Sequence, residues 1–274
     1  MKSLNLLEAI FLGVIQGITE FLPVSSSGHL VLFSSLLGIQ EANLTYEIFL
    51  HFGTLLAVFF AFKPDIMLLI QAFIKLIKAP GDFKQLYQTD SGVKMLIAII
   101  IGTLPLVFVG LFVQDFIRDL FSSPKFTGYM LLLTGTILFI SSKVNDGKKE
   151  IERISMLDGL IIGLGQACAV VPGLSRSGTT IATGLLKGLE RESAARFSFL
   201  LSIPAILGAQ VLAIGDLFSA EAISTPLWMM LIGTLVSAIV GYLAIKLLLK
   251  FVRQGRLIIF SYYTWAVGLL VLFL

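Results

Sequence analysis

The stretch whose reading decides the fold is Gln16 to His29, QGITEFLPVSSSGH, with a partner 150 residues later, Gln166 to Thr180, QACAVVPGLSRSGTT. Both interrupt chain that is otherwise fit for lipid, and both crowd polar groups around a Pro and a Ser-x-Ser-Gly turn. The first supplies a carboxylate (Glu20), three hydroxyls (Ser25, Ser26, Ser27) and an imidazole (His29). The second supplies a guanidinium (Arg176) and hydroxyls at Ser175, Ser177, Thr179 and Thr180. A central Arg costs about 2.5–3.5 kcal/mol on insertion scales, so function is the default explanation for such groups at bilayer depth.

The surrounding composition sets the lipid context. The chain has 274 residues, 57% of them hydrophobic and 14% charged, and its mean hydropathy is +0.95. Soluble domains carry about 25% charged residues. The chain therefore reads as an all-α, polytopic integral membrane protein whose surroundings are the lipid bilayer, with no nucleic-acid partner. A homodimer is compatible with such a chain. The lone cysteine, Cys168, excludes an internal disulfide and argues against a thiolate metal site. The N-terminus, MKSLNLLEAIFLGV, has one Lys and no small-residue cleavage site, so no removable signal peptide is expected.

Segments of about 17–25 residues can span a bilayer, and six are predicted, at roughly 47–63, 92–113, 127–142, 195–214, 228–250 and 257–274. Two further apolar stretches, about 4–38 and 157–188, are broken by the Pro/Ser/Gly turns and read as pairs of half-helices. Residues 64–90 are amphipathic and Lys-bearing, which predicts an interfacial segment.

Sixteen of the twenty Lys and Arg residues fall at 63–94, 143–156, 187–196 and 246–256. The N-terminus and the connections at 39–46, 114–126 and 215–227 hold three, and the last is Arg176. Lys and Arg collect on the cytoplasmic side. The two groups stay on opposite sides only if each broken stretch returns to the side it came from. That makes both of them re-entrant hairpins, the first entering from outside and the second from the cytoplasm.

At the offset of 150, seven of 26 positions are identical, among them Gly13/Gly163, Gln16/Gln166, Ser25/Ser175, Ser27/Ser177 and Gly28/Gly178. The prediction is one membrane domain, 1–274, built as an inverted-topology repeat of about 1–145 and 151–274. That architecture places a site near the midplane where two broken helices meet.

Ser is a favoured N-cap, and the first N–H groups of a helix lack partners within it. Two helix N-termini aimed at one point make an anion site, and Arg176 adds a fork suited to phosphate. A carboxylate there repels phosphate unless a cation bridges it or it acts as acid or base. Glu20, with Gln16 one turn earlier, therefore points to Mg²⁺ or Ca²⁺. Ser26, three residues from His29, completes the parts for phosphoryl transfer.

Simpler roles were weighed for the remaining groups. Ser and Gly in membrane helices also serve close packing. Glu47 and His51 are within reach of the cavity, with a plain interfacial role the simpler reading. Cys168 is read as packing, and Tyr262, Tyr263 and Trp265 as anchors. Glu190, Arg191, Glu192 and Arg196 form a solvated rim with i,i+4 support between Glu192 and Arg196.

At these residues the sequence resembles the undecaprenyl-diphosphate phosphatase family, the bacterial bacitracin-resistance membrane proteins. QGITEFLPVSSSGH resembles the family's (E/Q)xxxE-FLPVSS-x-GH block, and PGLSRSGTT its PGxSRSxxT block. The resemblance implies hydrolysis of undecaprenyl diphosphate to the monophosphate, recycling the carrier lipid of peptidoglycan synthesis and conferring bacitracin resistance. It also implies a divalent cation and a plasma-membrane catalytic centre open to the outside. Carried over by position, Gln16 and Glu20 fill the (E/Q)xxxE pair, Ser26 matches the serine proposed as nucleophile and His29 the essential histidine, with His29 the alternative nucleophile. Ser175, Arg176, Ser177 and Thr180 fill the phosphate-binding turn, with Ser25 and Ser27 beside them in the first. Many members carry Glu where this chain has Gln16, which removes a negative charge from the metal pair.

The SSSGH and SR fragments also resemble the acid phosphatase superfamily, but no KxxxxxxRP block precedes Ser25 and residues 180–184 contain no His. A transporter or flippase is the rival from another class, because inverted repeats with broken helices are transporter architecture.

Overall fold

The structure, a computed structural model, describes residues 4–39, 44–113, 123–217 and 225–273. Twelve α-helices run through these residues, and no strand is formed among them beyond one isolated bridge between Lys149 and Leu189. The first broken stretch is α1 (Leu6–Phe21) and α2 (Ser26–Leu36). The second is α8 (Met156–Cys168) and α9 (Arg176–Leu186). Between them come α3 (Leu44–Ala61), α4 (Lys63–Lys78), α5 (Phe83–Thr89), α6 (Ser91–Phe112) and α7 (Pro124–Ser142). After them come α10 (Arg191–Leu217), α11 (Leu227–Arg253) and α12 (Ile258–Phe273).

Four helices, α6, α7, α10 and α11, are long and apolar enough to cross a membrane, and the bent pair α3–α4 makes a fifth. The chain is thus an all-helical, multi-pass membrane protein. The stretch expected to span at 257–274 forms a helix of 16 residues, about 24 Å at 1.5 Å per residue, short of a hydrocarbon core of about 30 Å. At the end of α3 the chain turns by 86° into α4, where Pro64 occupies the first turn and has no N–H to continue the preceding helix. One face of α4 exposes Met67, Ile70, Ile74 and Ile77, while Lys75 and Lys78 lie in its last turn.

Close approach of small residues sets the helix packing. A methyl added to Gly13 or Gly17 of α1 would meet the α11 backbone at Gly233, Ser237 or Gly241. A methyl added to Gly159 or Gly163 of α8 would collide with the α6 backbone at Ala98 and Gly102. Lipid tails are as apolar as leucine, so contacts of this kind and interhelical hydrogen bonds drive association. The bonds are present: Tyr46 Oη donates to the Ala9 carbonyl (2.6 Å), and Ser237 Oγ to that of Leu50 (2.9 Å).

The basic ends are tied by ion pairs. Lys149 holds Asp158 (2.9 Å) and Lys75 holds Asp90, the cap of α6. The Lys75 hydrogen bond keeps the Asp90 carboxyl below the usual carboxylate range. The i,i+4 support expected between Glu192 and Arg196 is present as charge attraction, while the hydrogen bonds of both side chains run between helices. Both Glu192 carboxylate oxygens accept from one edge of the Arg253 guanidinium, Nε and Nη2 (2.7 and 2.6 Å), and Arg196 turns to Asp65 (2.5 Å). Cys168, expected to pack, is exposed.

Candidate active site

The two Ser-x-Ser-Gly turns meet. A Cβ built on Gly28 would lie 3.5 Å from the Gly173 Cα, and one built on Gly178 would lie 3.3 Å from the Pro23 Cβ. Positions 23 and 173, like 28 and 178, correspond at the offset of 150, so each turn seats its glycine on the other's bend. Ser177 Oγ adds a bond to the Leu22 carbonyl (3.3 Å).

Each turn is a capped helix start. Ser25 Oγ accepts from Gly28 N (3.4 Å) at the head of α2, and Ser175 Oγ from Gly178 N (3.1 Å) at the head of α9. Ser25 is the one non-glycine residue with a left-handed backbone among the described residues, at φ 70°. The second turn is clamped by Thr134 of α7, whose hydroxyl accepts from Ser175 N and donates to the Gly173 carbonyl, both at 3.0 Å.

Glu20, at the end of α1, is the hub. Its Oε1 takes the Arg176 guanidinium (2.5 Å). Its Oε2 accepts from Ser26 Oγ (2.8 Å) and Gln16 Nε2 (3.0 Å), with His51 Nε2 3.7 Å away. Glu20 is 8% exposed, and a carboxylate so enclosed is tolerable only when paired and hydrogen-bonded. Arg176 is steadied in turn by the Ser198 carbonyl of α10 (3.4 Å).

A cavity of about 380 Å³ opens on this hub. Its polar wall holds Glu20, Ser25, Ser26, Ser27 and Arg176, joined by Glu47, His51, Gln166 and Gln210. Its apolar wall includes Leu106, Ala205, Ile206 and Ala209. The long helices contribute from one end only: α3 from its first two turns, α6 and α10 from their second halves. Those are the ends remote from Lys63, Lys94, Arg191 and Arg196.

The structure therefore brings Glu20, Ser25, Ser26, Ser27 and Arg176 to the cavity wall. It sets the other sequence-predicted residues behind it. Gln16 is fully buried, with Nε2 on Glu20 and with Oε1 lacking a hydrogen-bond partner among the described residues. Ser175 caps α9, Ser177 braces the first turn, and Thr180 bonds Ser198 Oγ (2.6 Å) and the Arg176 carbonyl (2.8 Å). His29 has both ring nitrogens engaged: Nδ1 with the Ser25 carbonyl and Nε2 with Tyr263 Oη, each at 2.8 Å. Its ring also stacks on Tyr263 at 5.7 Å between centroids.

Glu47 and His51, within reach of the cavity on the sequence, line it, and Gln166, Gln210 and Tyr263 join the site without being marked as site residues by the sequence. His51 and Glu47 were legible only as an i,i+4 polar pair, and Gln166 only as the match to Gln16. Gln210 is a lone amide on an apolar helix. Tyr263 lies 234 residues from His29, and nothing local marks it.

The residues present do not form a protein cage for a metal. Among the described residues, no group of three or more His, Cys, Asp or Glu side chains is gathered to hold an ion. What the donor set fits is an oxygen-seeking ion shared with a ligand's own oxygens, with Glu20 as the protein carboxylate.

Comparison with known proteins agrees with the geometry. The family model described as bacitracin resistance protein BacA matches residues 9–270. The chain belongs to that family. Relatives named undecaprenyl-diphosphatase include one from Methanobrevibacter smithii, 44% identical over 98% of this chain and 97% of the relative. Another, from Halothermothrix orenii, is 42% identical over 99% and 98%. A third, from Desulforapulum autotrophicum, is 44% identical over 97% of each.

Proposed function

We propose that the chain hydrolyses undecaprenyl diphosphate to undecaprenyl phosphate and inorganic phosphate, recycling the lipid carrier for peptidoglycan synthesis and conferring bacitracin resistance. The observation that carries the reading is the Ser26–Glu20–Arg176 constellation at the cavity wall: a hydroxyl bonded to a carboxylate, beside the guanidinium that would hold the phosphate.

In the proposed mechanism the diphosphate enters sideways from the bilayer, its head group in the cavity and its tail along apolar helices. The terminal phosphate draws Arg176 away from Glu20 Oε1, which leaves the carboxylate free to act as base. Ser26 Oγ attacks the terminal phosphorus and passes its proton to Glu20 Oε2. The bond from that phosphorus to the bridging oxygen breaks, and the lipid monophosphate leaves with the bridging oxygen. Water then attacks the phosphoserine, inorganic phosphate departs, and a proton returns to Ser26 Oγ. Phosphoryl transfer asks the protein mainly for position and charge stabilisation, and the two capped turns supply the position. His29 is assigned to the turn itself, since neither of its ring nitrogens is directed to Ser26. Ser175, Ser177 and Thr180 are assigned to holding Arg176 and the second turn in place.

A divalent cation belongs to the proposal. Glu20, with Gln16 beside it, would hold Mg²⁺ or Ca²⁺. Bound there, it would neutralise phosphate charge. The inverted repeat is likewise part of the reading. It is supported by the exchanged seats of Gly28 and Gly178 and by the parallel packing of α1 on α11 and α8 on α6. With the Lys/Arg-rich ends inside, the cavity opens toward the outer face of the plasma membrane, because its lining comes from the opposite helix ends.

The test is phosphate release from undecaprenyl diphosphate by purified protein in detergent, with and without chelator, beside Ser26→Ala. Release that falls by at least ~10² in the variant supports the nucleophile, in line with losing a group that acts in the transition state. Release indifferent to chelator removes the cation. No release from folded protein overturns the phosphatase and moves the assignment to a lipid carrier.

A further inference from the structure

The reaction must hold two phosphates, and the constellation above accounts for one. We propose that Gln166 is the recognition group for the second, the lipid-side phosphate that remains on the product. The proposal rests on the phosphatase reading and names a subsite within the same cavity.

Gln166 closes α8 one turn before the second bend, 1% exposed and lining the cavity. Neither its Nε2 nor its Oε1 has a hydrogen-bond partner among the described residues. A buried amide with both ends unpaired is costly, and one that lines a cavity is placed to meet a water, an ion or a ligand there. Its counterpart Gln16 differs in just this respect, because Gln16 donates to Glu20 one turn later. At the offset of 150 the place of Glu20 is taken by Val170, which also lines the cavity and offers no acceptor. The amide of Gln166 is therefore left to whatever enters.

The chemistry of the wall narrows the choice. Arg176, Ser26 and Ser27 surround the terminal phosphate, and Glu20 and Glu47 repel a second one. The Gln166 amide brings two N–H donors without a charge. A neutral donor suits a phosphate that must leave with its lipid, since a second cation would hold product as firmly as substrate.

Binding can be separated from turnover with a farnesyl diphosphate analogue whose bridging oxygen is a methylene. Gln166→Leu should weaken its Kd about tenfold or more, the range for one hydrogen bond to a charged group. Farnesyl monophosphate, the short-chain product, should weaken by a similar factor. Inhibition by inorganic phosphate, which needs only the Arg176 pocket, should change less than ~2-fold, whereas Arg176→Ala should abolish it. The unfolding midpoint of Gln166→Leu should hold or rise, because an unpaired buried amide has been removed. Should Leu prevent folding, Gln166→Met, of similar length, carries the same test.

Unchanged analogue and monophosphate affinities would overturn the subsite. So would equal losses for all three ligands, which would mark a general disturbance of the cavity. If wild type binds the analogue through Gln166 yet releases no phosphate from the natural diphosphate, the phosphatase reading fails and the subsite stands.

Discussion

At Ser25 the backbone takes φ 70° and ψ 98°, whereas Ser175, its counterpart, takes φ −66° and ψ 118°. Both residues cap a helix of 11 residues, and both accept from the glycine three positions on. Each bend needs one left-handed residue. The second places it at Gly173, φ 87°, where no Cβ resists. The first places it at Ser25, where an L side chain costs roughly 1–2 kcal/mol. The strained bend is the one that adjoins Ser26, and the relaxed bend is the one that Thr134 clamps. Strain held at the turn that carries Ser26 and absent from the matching turn is a sign of where position matters most.

The side chains diverge in a complementary way. Glu20 answers to Val170, Ser26 to Arg176 and His29 to Thr179. One turn carries the acid and the hydroxyl, and the other carries the cation. Neither is a site alone, and the bond between Glu20 and Arg176 makes them one.

The comparison breaks first at that bond. Arg176→Lys keeps the charge and loses the planar fork, which is not a conservative change at such a site. Turnover should fall by ~10². A variant that keeps more than about a tenth of wild-type kcat would reduce the second turn's contribution to plain charge. Next in size is the clamp. Thr134→Val leaves Ser175 N and the Gly173 carbonyl unpaired in the interior, at about 2 kcal/mol in stability. The unfolding midpoint in detergent should drop, and the same substitution at Thr103, whose hydroxyl donates to the Ile99 carbonyl of its own helix, should have a smaller effect. The smallest effect sharpens the contrast most. Ser25→Gly should relieve the backbone and stabilise by about 1 kcal/mol, since glycine is nearly as good a cap. Turnover should still fall about tenfold as Ser26 loses its fixed position. A loss of stability would show that the first turn is not strained.

Much of this was legible in the chain because polar residues in lipid-fit sequence are conspicuous. Glu20, Ser26 and Arg176 could be singled out without knowing what they touch. The helix boundaries followed from hydropathy and the Pro/Ser/Gly bends. What could not be read is which face of a short helix meets the cavity. Ser175, Ser177 and Thr180 carry the same hydroxyl as Ser26, but α9 turns them toward its own first turn, the first bend and α10. His29 shows the same limit. Three residues from Ser26, it reaches for a tyrosine in the last helix instead. His51, read as interfacial, stands 3.7 Å from Glu20 because α3 leans on α1 and α11, a tertiary fact. The rim shows the same limit: Glu192 takes its hydrogen bonds from Arg253 on another helix, and Arg196 adds charge attraction from its own.

The contact between His29 and Tyr263 also orders events in time. The two residues are 234 positions apart, which is on the order of 10–50 seconds of synthesis at about 5–20 residues per second. Arg176 is added 147 positions after His29 and α11 later still, so for more than half of that interval the nascent first hairpin has neither α11 beneath Gly13 and Gly17 nor Arg176 beside Glu20. The acid that the finished enzyme keeps paired is, on the ribosome, a lone charge at the membrane. The contacts that pair Glu20 and seat Gly13 and Gly17 form only once the second half has arrived, so a chain ending before residue 176 carries Glu20 and Ser26 without the guanidinium that pairs them.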